Sequence, residues 1–194
     1  MSDAYVTSPW LRPRSPLDDA ELPRGPRFTI ADVAPAERFI FRGGEAARAA
    51  CSAAFGPDLP DSLGSARELG GRAALWLGPD EWLLIAEHEA AETIAMAIEG
   101  ELADIPHSLV DVSFRQVGLS VSGANAARAL SAGCPLDLRL KTFPVGAATR
   151  TMFDKAEIVL WRRQETAFQV EVARSFSPWL AAALAEAALR APGF

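Results

Sequence analysis

The sequence predicts an α+β fold, in which repeated strand-strand-helix units form antiparallel sheets that are packed by helices. Short apolar or alternating segments occur in pairs, as expected for neighbouring β-strands. A segment with helical spacing of apolar residues follows each pair. Because this plan occurs four times at regular spacing after residue 28, we expect one intertwined domain rather than two separable halves.

The first two units begin at residue 28. Strands are predicted at residues 28–33, 38–42, 73–77 and 82–86, and helices at 45–55 and about 89–102. Gly56-Pro57 stops the first helix, residues 57–71 are predicted to be a loop, and Gly78-Pro79-Asp80-Glu81 forms a hairpin turn. Glu87-His88-Glu89 is expected to be an exposed helix start, where the helix dipole favours acidic side chains. The apolar stripe of the second helix consists of Ile94, Ile98, Leu102 and Ile105.

The last two units follow the same plan. Strands are predicted at residues 108–112, 117–121, 156–161 and 167–172, and helices at 124–132 and 177–190. Ser122-Gly123 leads into the third helix, Gly133 is expected to cap its C-terminus, and residues 134–146 are predicted to be a loop. Ser177 is expected to be the N-cap of the last helix, with Pro178 at its first position. The inward residues of this helix are predicted to be Trp179, Leu180, Ala183, Leu184 and Ala187, and its outer pair Glu186 and Arg190.

The first 27 residues differ from the rest of the chain. They hold many prolines and arginines and show no helical or strand periodicity. Two interpretations are open: a disordered tail, or an extended arm laid on another surface. Tyr5, Trp10, Leu11 and Leu17 favour the arm, because a solvating tail has little use for large apolar side chains. We therefore divide the chain into a Pro/Arg-rich N-terminal arm at 1–27 and a single α+β domain at 28–194.

Composition excludes several classes of partner. The chain has 194 residues, enough for one core, and 25 acidic against 19 basic side chains give a net charge of -6. A surplus of acid argues against nucleic acid and against an anionic membrane surface. The N-terminus lacks a secretory signal pattern, and the longest apolar run, 179–185, is too short to span a bilayer. Two distant cysteines are expected to be reduced, so we expect a cytoplasmic protein.

Residues that carry chemistry are few. The chain has two His, two Cys and one Tyr, and their spacing does not match a four-ligand metal site. Neither His88 nor His107 has a second His or Cys at helical spacing, and Cys134 follows a helix end, where a thiolate is not stabilised. The glycine pairs 43–44 and 70–71 lack the context of a phosphate-binding loop. We therefore predict no catalytic, cofactor-binding or metal-binding residue in this chain.

Asp111 interrupts an otherwise apolar strand. A carboxylate in such a place needs an ion-pair partner, hydrogen bonds or exposure at a sheet edge. Arg115 and Arg150 are candidate partners. A structural ion pair or turn cap is the favoured interpretation, and a ligand contact is the alternative.

Five stretches resemble one protein family. They are 14–17 (RSPL); 77–84 (LGPDEWLL); 110–113 (VDVS) with Gln116 and 122–124 (SGA); 133–138 (GCPLDL) with 143–146 (FPVG), 150–151 (RT) and 155–156 (KA); and 174–176 (RSF). In this order and spacing, the chain resembles the gamma subunits of bacterial heterotetrameric sarcosine oxidases. The stretch at 133–138 is fairly specific, whereas 78–82 is shared with folate-binding aminomethyltransferase (T-protein) domains. Phe114 departs from the pattern, since a more polar residue is expected there.

The resemblance implies a fold similar to part of the T-protein folate domain. It also implies a non-catalytic subunit that acts in assembly and stability, with the alpha subunit as its partner and the beta and delta subunits as further candidates. Such a complex oxidises the methyl group of sarcosine with tetrahydrofolate as one-carbon acceptor. FAD, FMN and NAD are implied for the large subunits and zinc for delta, with no cofactor in this chain. The alternatives are a subunit of a related N-methyl amino acid dehydrogenase, or a stand-alone folate-binding module.

Overall fold

The computed structural model describes residues 15–190, in which strands and helices alternate in the predicted manner. The strands are β1 Thr29–Asp32, β2 Ala36–Gly43, β3 Ala66–Leu69, β4 Arg72–Gly78, β5 Glu81–Glu87, β6 His107–Asp111, β7 Gln116–Ser122, β8 Ala148–Phe153, β9 Ala156–Gln164 and β10 Ala167–Ala173. The helices are α1 Glu45–Phe55, α2 Ala91–Glu101, α3 Ala126–Ser131 and α4 Ser177–Leu189, and a short 3-10 turn, Arg174–Phe176, precedes α4.

The strands form two antiparallel sheets of five strands each. Sheet A has the order β1-β7-β10-β9-β8, and sheet B has the order β3-β4-β5-β2-β6. Sheet B is built from the consecutive strands β2 to β6, whereas sheet A combines β1 with β7 to β10, so the chain both enters and leaves through sheet A. This confirms the expected antiparallel sheets.

Successive side chains of a strand point to opposite faces of its sheet, and here both faces carry apolar side chains that are buried. In β5, Trp82 and Leu84 lie in the core beneath α1 and α2, whereas Leu83 and Ile85 lie in a second core that faces sheet A. Strand β9 behaves in the same way, with α3 and α4 on its outer side. The molecule therefore has four layers: helices, sheet B, sheet A and helices.

Backbone hydrogen bonds also join the two sheets directly. Ser65 and Ala147 form an isolated antiparallel bridge. On either side of it, the Ala66 N–H donates to the Gly146 carbonyl and the Ala148 N–H donates to the Gly64 carbonyl, both at 2.9 Å. The start of β3 in sheet B and the start of β8 in sheet A are thus fixed to each other.

Two strands were not predicted. Strand β3 lies inside the predicted loop 57–71, and β8 lies between two predicted segments. Three of the four β3 residues are exposed, so the stretch lacks the apolar alternation that identifies a half-buried strand. Two of the four units consequently contain three strands rather than two.

Helix ends differ from the predictions in three places. Helix α2 begins at Ala91, and Glu89, predicted to be an exposed part of its start, instead forms an ion pair with Arg72 at 2.5 Å. The C-cap of α3 is Ala132 rather than Gly133. A Cβ on Gly133 would lie 2.9 Å from the ring of Phe153, so this glycine serves packing instead.

The last helix has the predicted length but a different N-cap. Phe176 is the N-cap, and Ser177 is already helical, with its hydroxyl donating to the Arg174 carbonyl at 2.9 Å. The outer pair of Glu186 and Arg190 forms as predicted, at 2.5 Å. The apolar stripe of α2 is also confirmed, since Ile94, Ile98 and Leu102 are buried and Ile105 packs beside them.

The described part of the predicted arm packs on the chain's own domain. Leu17 is 3% exposed in the core of sheet A, and Ala20 and Leu22 pack against that core. Tyr5, Trp10 and Leu11, which favoured an arm on another surface, lie outside the described residues.

Candidate functional site

A network of polar side chains crosses the interior between the two sheets. Arg38 Nε donates to Glu171 Oε2 at 2.5 Å, and the side chains of both residues are almost fully buried. Gln169 Nε2 donates to Glu171 Oε1 at 2.6 Å. Arg163 Nη1 donates to Gln169 Oε1 at 3.2 Å, and its Nη2 forms an ion pair with Glu68. We call these five residues the inter-sheet network.

The inter-sheet network joins the sheets twice. Arg38 lies on β2 and Glu68 on β3, both in sheet B, whereas the other three members lie on β9 and β10 of sheet A. Arg38 Nη1 also donates to the Ala36 carbonyl at 2.7 Å, so the buried guanidinium has several acceptors. A buried ion pair without such partners is strongly unfavourable, and this one is well satisfied.

Gly118 on β7 makes room for the ion pair. A Cβ on this residue would lie 2.7 Å from Glu171 Oε1 and 3.0 Å from Arg38 Nη2. Contacts this short force neighbouring groups to move, and here those groups are held by hydrogen bonds. The absence of a side chain at 118 is therefore required by the inter-sheet network.

Asp111 caps a turn and does not bind either predicted arginine. Its Oδ1 accepts from the Ser113 N–H at 2.8 Å and from the Ser113 hydroxyl at 2.6 Å. Arg150 instead donates to Glu81 at 2.6 Å. The turn-cap alternative is therefore confirmed. Phe114, which follows Ser113, lies on the surface and is 88% exposed.

The 78–82 stretch joins the hairpin to the rest of the domain. Asp80 pairs with Arg42 at 2.8 Å, and Glu81 pairs with Arg150 of sheet A. Trp82 is buried, and its Nε1 donates to the Pro60 carbonyl at 2.7 Å. Each polar side chain of this motif thus has a structural partner.

The 133–138 stretch is equally structural. Cys134 is buried, with its sulfur 3.9 Å from Thr151 Oγ1, as expected for a small core residue. The Asp137 carboxylate accepts from Arg139 and Thr142, and these bonds hold its pKa well below the usual range. Arg162 donates to the Leu138 carbonyl and stacks on the Phe168 ring at 4.3 Å, which fixes the loop on the sheet.

The remaining candidates are not brought together. His88 is exposed, whereas His107 lies 2.7 Å from the Ile105 carbonyl and 3.1 Å from Glu99. Cys51 is buried in α1, and burial raises the pKa of its thiol to about 12. Between residues 15 and 190, no group of three or more His, Cys, Asp or Glu side chains is placed to hold a metal ion. No helix of this part of the chain is long and apolar enough to cross a membrane.

Sequence reasoning missed the inter-sheet network. A signal was present, since Glu171 lies between Val170 and Val172 in a predicted strand, and Arg38 opens another. A charge in a strand with apolar neighbours faces either solvent or a buried partner, and sequence alone does not distinguish these cases. The network became visible only when the two sheets were placed face to face.

Comparison with known proteins adds the family. The model of the sarcosine oxidase gamma subunit family matches residues 42–189. The gamma subunit from Corynebacterium sp. strain U-96 is 33% identical over 95% of this chain and 96% of its own length. That from Corynebacterium sp. strain P-1 is 36% identical over 71% of this chain and 70% of its own length.

Solved structures agree with this assignment. A chain of the heterotetrameric sarcosine oxidase from Corynebacterium sp. U-96, in complex with pyrrole 2-carboxylate, superposes with a TM-score of 0.83 and 31% identity, covering 91% of this chain and 95% of that chain. The glycine cleavage aminomethyltransferase T from Bartonella henselae superposes with a TM-score of 0.62 at 15% identity, over 81% of this chain and 45% of the enzyme. The second likeness shows a shared fold and confirms the predicted similarity in fold to part of the T-protein. The chain belongs to the sarcosine oxidase gamma subunit family.

Proposed function

We propose that this chain is the gamma subunit of a heterotetrameric sarcosine oxidase and that it serves assembly and stability rather than catalysis. The observation that carries the proposal is the superposition on one chain of the Corynebacterium heterotetramer, which extends over nearly the whole of both chains. The extent of this match supports a gamma-type role for the matched part of the chain.

The use of polar side chains within the fold supports a non-catalytic role. Asp111 caps a turn, Glu81 binds Arg150, and Glu171 lies within the inter-sheet network. A catalytic acid, base or nucleophile needs an accessible position beside a substrate. These three carboxylates instead have partners within the domain.

In this proposal the chemistry belongs to the partner subunits. The alpha and beta subunits would hold FAD, FMN and NAD, and the delta subunit would hold zinc. The complex would oxidise sarcosine to glycine with tetrahydrofolate as one-carbon acceptor. The described residues of this chain do not fit a metal ion, because their acidic, His and Cys side chains are dispersed. The complex is expected to be cytoplasmic.

Co-expression tests the proposal. The chain carrying an affinity tag is expressed together with the other subunits of its complex, and the captured material is assayed for sarcosine-dependent hydrogen peroxide formation. We expect capture of the large subunits, an active complex, and no activity from this chain alone. Complete and fully active assembly without this chain would contradict a role in assembly and stability.

Two further measurements separate the alternative functions: a substrate assay of the captured complex and a titration of the isolated chain. Oxidation of N-methylglutamate in preference to sarcosine would indicate the related dehydrogenase. Calorimetric titration of the isolated chain with tetrahydrofolate addresses the folate-binding module. Saturable heat at a one-to-one ratio would favour that module, and its absence supports the proposed assembly role.

A further inference from the structure

An apolar groove lies where the two sheets are fixed to each other. Its walls are the segment 63–67, which leads into β3, and the segment 142–147, which precedes β8, and it encloses about 520 Å³. Leu63 is 81% exposed and Val145 is 51% exposed, although both are large aliphatic residues on the same groove. Two such side chains on one concave surface form a patch rather than a scattered exposure.

The walls of the groove are rigid. The Ser65–Ala147 bridge and its flanking hydrogen bonds join the two segments. The Gly146 N–H donates to the Arg162 carbonyl, and the Arg162 N–H donates to the Ala147 carbonyl. Because these backbone groups already have partners, a bound segment gains little from adding a strand here. Recognition therefore depends on side chains.

Charge at the groove is opposite to that of the whole molecule. The chain has a net charge of -6, yet among the described residues that line the groove the single charged side chain is Arg67, which is exposed. Lys141, also exposed, immediately precedes the wall residue Thr142, and Glu68, which follows Arg67, is paired with Arg163. A positive charge beside an apolar centre is complementary to an apolar side chain flanked by a carboxylate.

We propose that this groove is a docking surface for another subunit of the complex, which inserts an apolar side chain between Leu63 and Val145 and places an acidic residue beside Arg67. The inference rests on the proposed function. It also gives a role to the family stretch 143–146, which forms one wall of the groove. The backbone of both walls is already fixed before binding, which lowers the entropic cost of forming an interface there.

Capture of the partner subunits by tagged variants tests the docking surface. The variants are Leu63→Asp/Val145→Asp, which places negative charge in the apolar centre, and Arg67→Glu, which reverses the charge of the side chain beside that centre. The matched control is Met96→Asp on α2, because Met96 is 76% exposed and lies in a different layer. We expect the double variant to lower the affinity for the partner at least tenfold, Arg67→Glu to lower it severalfold, and the control to bind as the wild-type chain does.

Each outcome has a definite meaning. Thermal melting of the isolated variants shows whether they are folded, and Arg67→Glu is a surface change that provides a second test if the double variant is unstable. Folded groove variants that bind the partner as well as Met96→Asp does would overturn the docking surface while leaving the proposed function intact. A wild-type chain that captures no partner subunit would instead contradict the proposed function. A wild-type homodimer that the groove variants dissociate would also overturn the inference, by showing that a second copy occupies the groove.

Discussion

Replacing Glu171 by Gln is expected to destabilise the domain by about 3 kcal/mol. The glutamate is 2% exposed and accepts hydrogen bonds from Arg38 and Gln169. Gln has the same shape, so no cavity forms, but the negative charge that neutralises Arg38 is lost. Because Arg38 and Gln169 both donate hydrogen bonds to this side chain, the N–H₂ group of the substituted amide faces a donor in either orientation. Removing one partner of a buried ion pair costs about 3–5 kcal/mol, and the remaining amide oxygen places this variant at the lower end.

A second variant distinguishes the charge effect from a simple loss of contacts. In Arg38→Met/Glu171→Leu no charge stays buried, although the Ala36 carbonyl and the Gln169 amide each lose a partner. At the lower end such groups cost about 1 kcal/mol each, and gained apolar burial offsets part of that loss, so the double variant is expected to lie about 1–2 kcal/mol below the wild-type chain. We therefore expect the double variant to be more stable than Glu171→Gln by about 1–2 kcal/mol.

Urea denaturation of the isolated chain measures both effects. The buried Trp82 and Trp161 provide fluorescence signals from both sheets, and the slope with denaturant shows whether unfolding remains a single transition. Glu186→Ala is the matched control, because its ion pair with Arg190 is largely exposed and is expected to contribute less than about 0.5 kcal/mol. A loss below about 1 kcal/mol for Glu171→Gln, or a double variant less stable than the single one, would refute the reasoning.

Three further predictions concern single positions. Gly118→Ala is expected to cost about 1–3 kcal/mol in the same urea assay, because its Cβ would lie 2.7 Å from Glu171 Oε1; an unchanged midpoint would contradict the packing argument. Arg72→Lys is expected to lower stability by about 1 kcal/mol, since the guanidinium both pairs with Glu89 and donates to the Phe55 carbonyl at the end of α1, and lysine lacks that fork; calorimetric melting checks this. Burial raises the pKa of the Cys51 thiol from its usual value of 9.0 to about 12, so the contribution of this thiol to stability is complete below pH 9 and is lost as pH rises from about 9 towards 12. A Cys51→Ala variant should show a weaker loss of stability over that range. An identical loss would exclude the thiol as its source.

Much of the fold was predictable because one face of each helix and most strands bury a regular apolar pattern. The α2 stripe and the paired strands around 73–86 are examples. The edge strand β3 was not predictable, since three of its four residues face solvent and its pairing with β4 uses backbone groups that sequence does not reveal. The start of α2 was displaced for a similar reason. Glu89 pairs with Arg72 on the adjacent strand β4, a contact that the local preference for acidic residues at a helix start does not reveal.

The functional features were less predictable than the fold. Leu63 lies in a stretch predicted to be a loop, and Val145 in another, with more than 80 residues between them. Nothing in either stretch indicates that a backbone bridge brings both onto one groove. The motif at 143–146 pointed to importance, but only the bridge between Ser65 and Ala147 shows that its place is beside the other sheet.

The shape of the groove depends on the inter-sheet network, because both involve the relative position of the two sheets. One wall of the groove leads into β3 of sheet B and the other into β8 of sheet A, so its width follows the relative position of the sheets. Apolar side chains between the sheets favour contact but tolerate sliding, because the hydrophobic effect has no direction. The pair of Arg38 with Glu171 and that of Arg163 with Glu68 do have a direction, and each joins sheet A to sheet B. A buried ion pair adds little net stability over an apolar replacement. We infer that the network, together with the backbone bridge between Ser65 and Ala147, fixes the alignment of the two sheets, and with it the shape of the proposed docking surface.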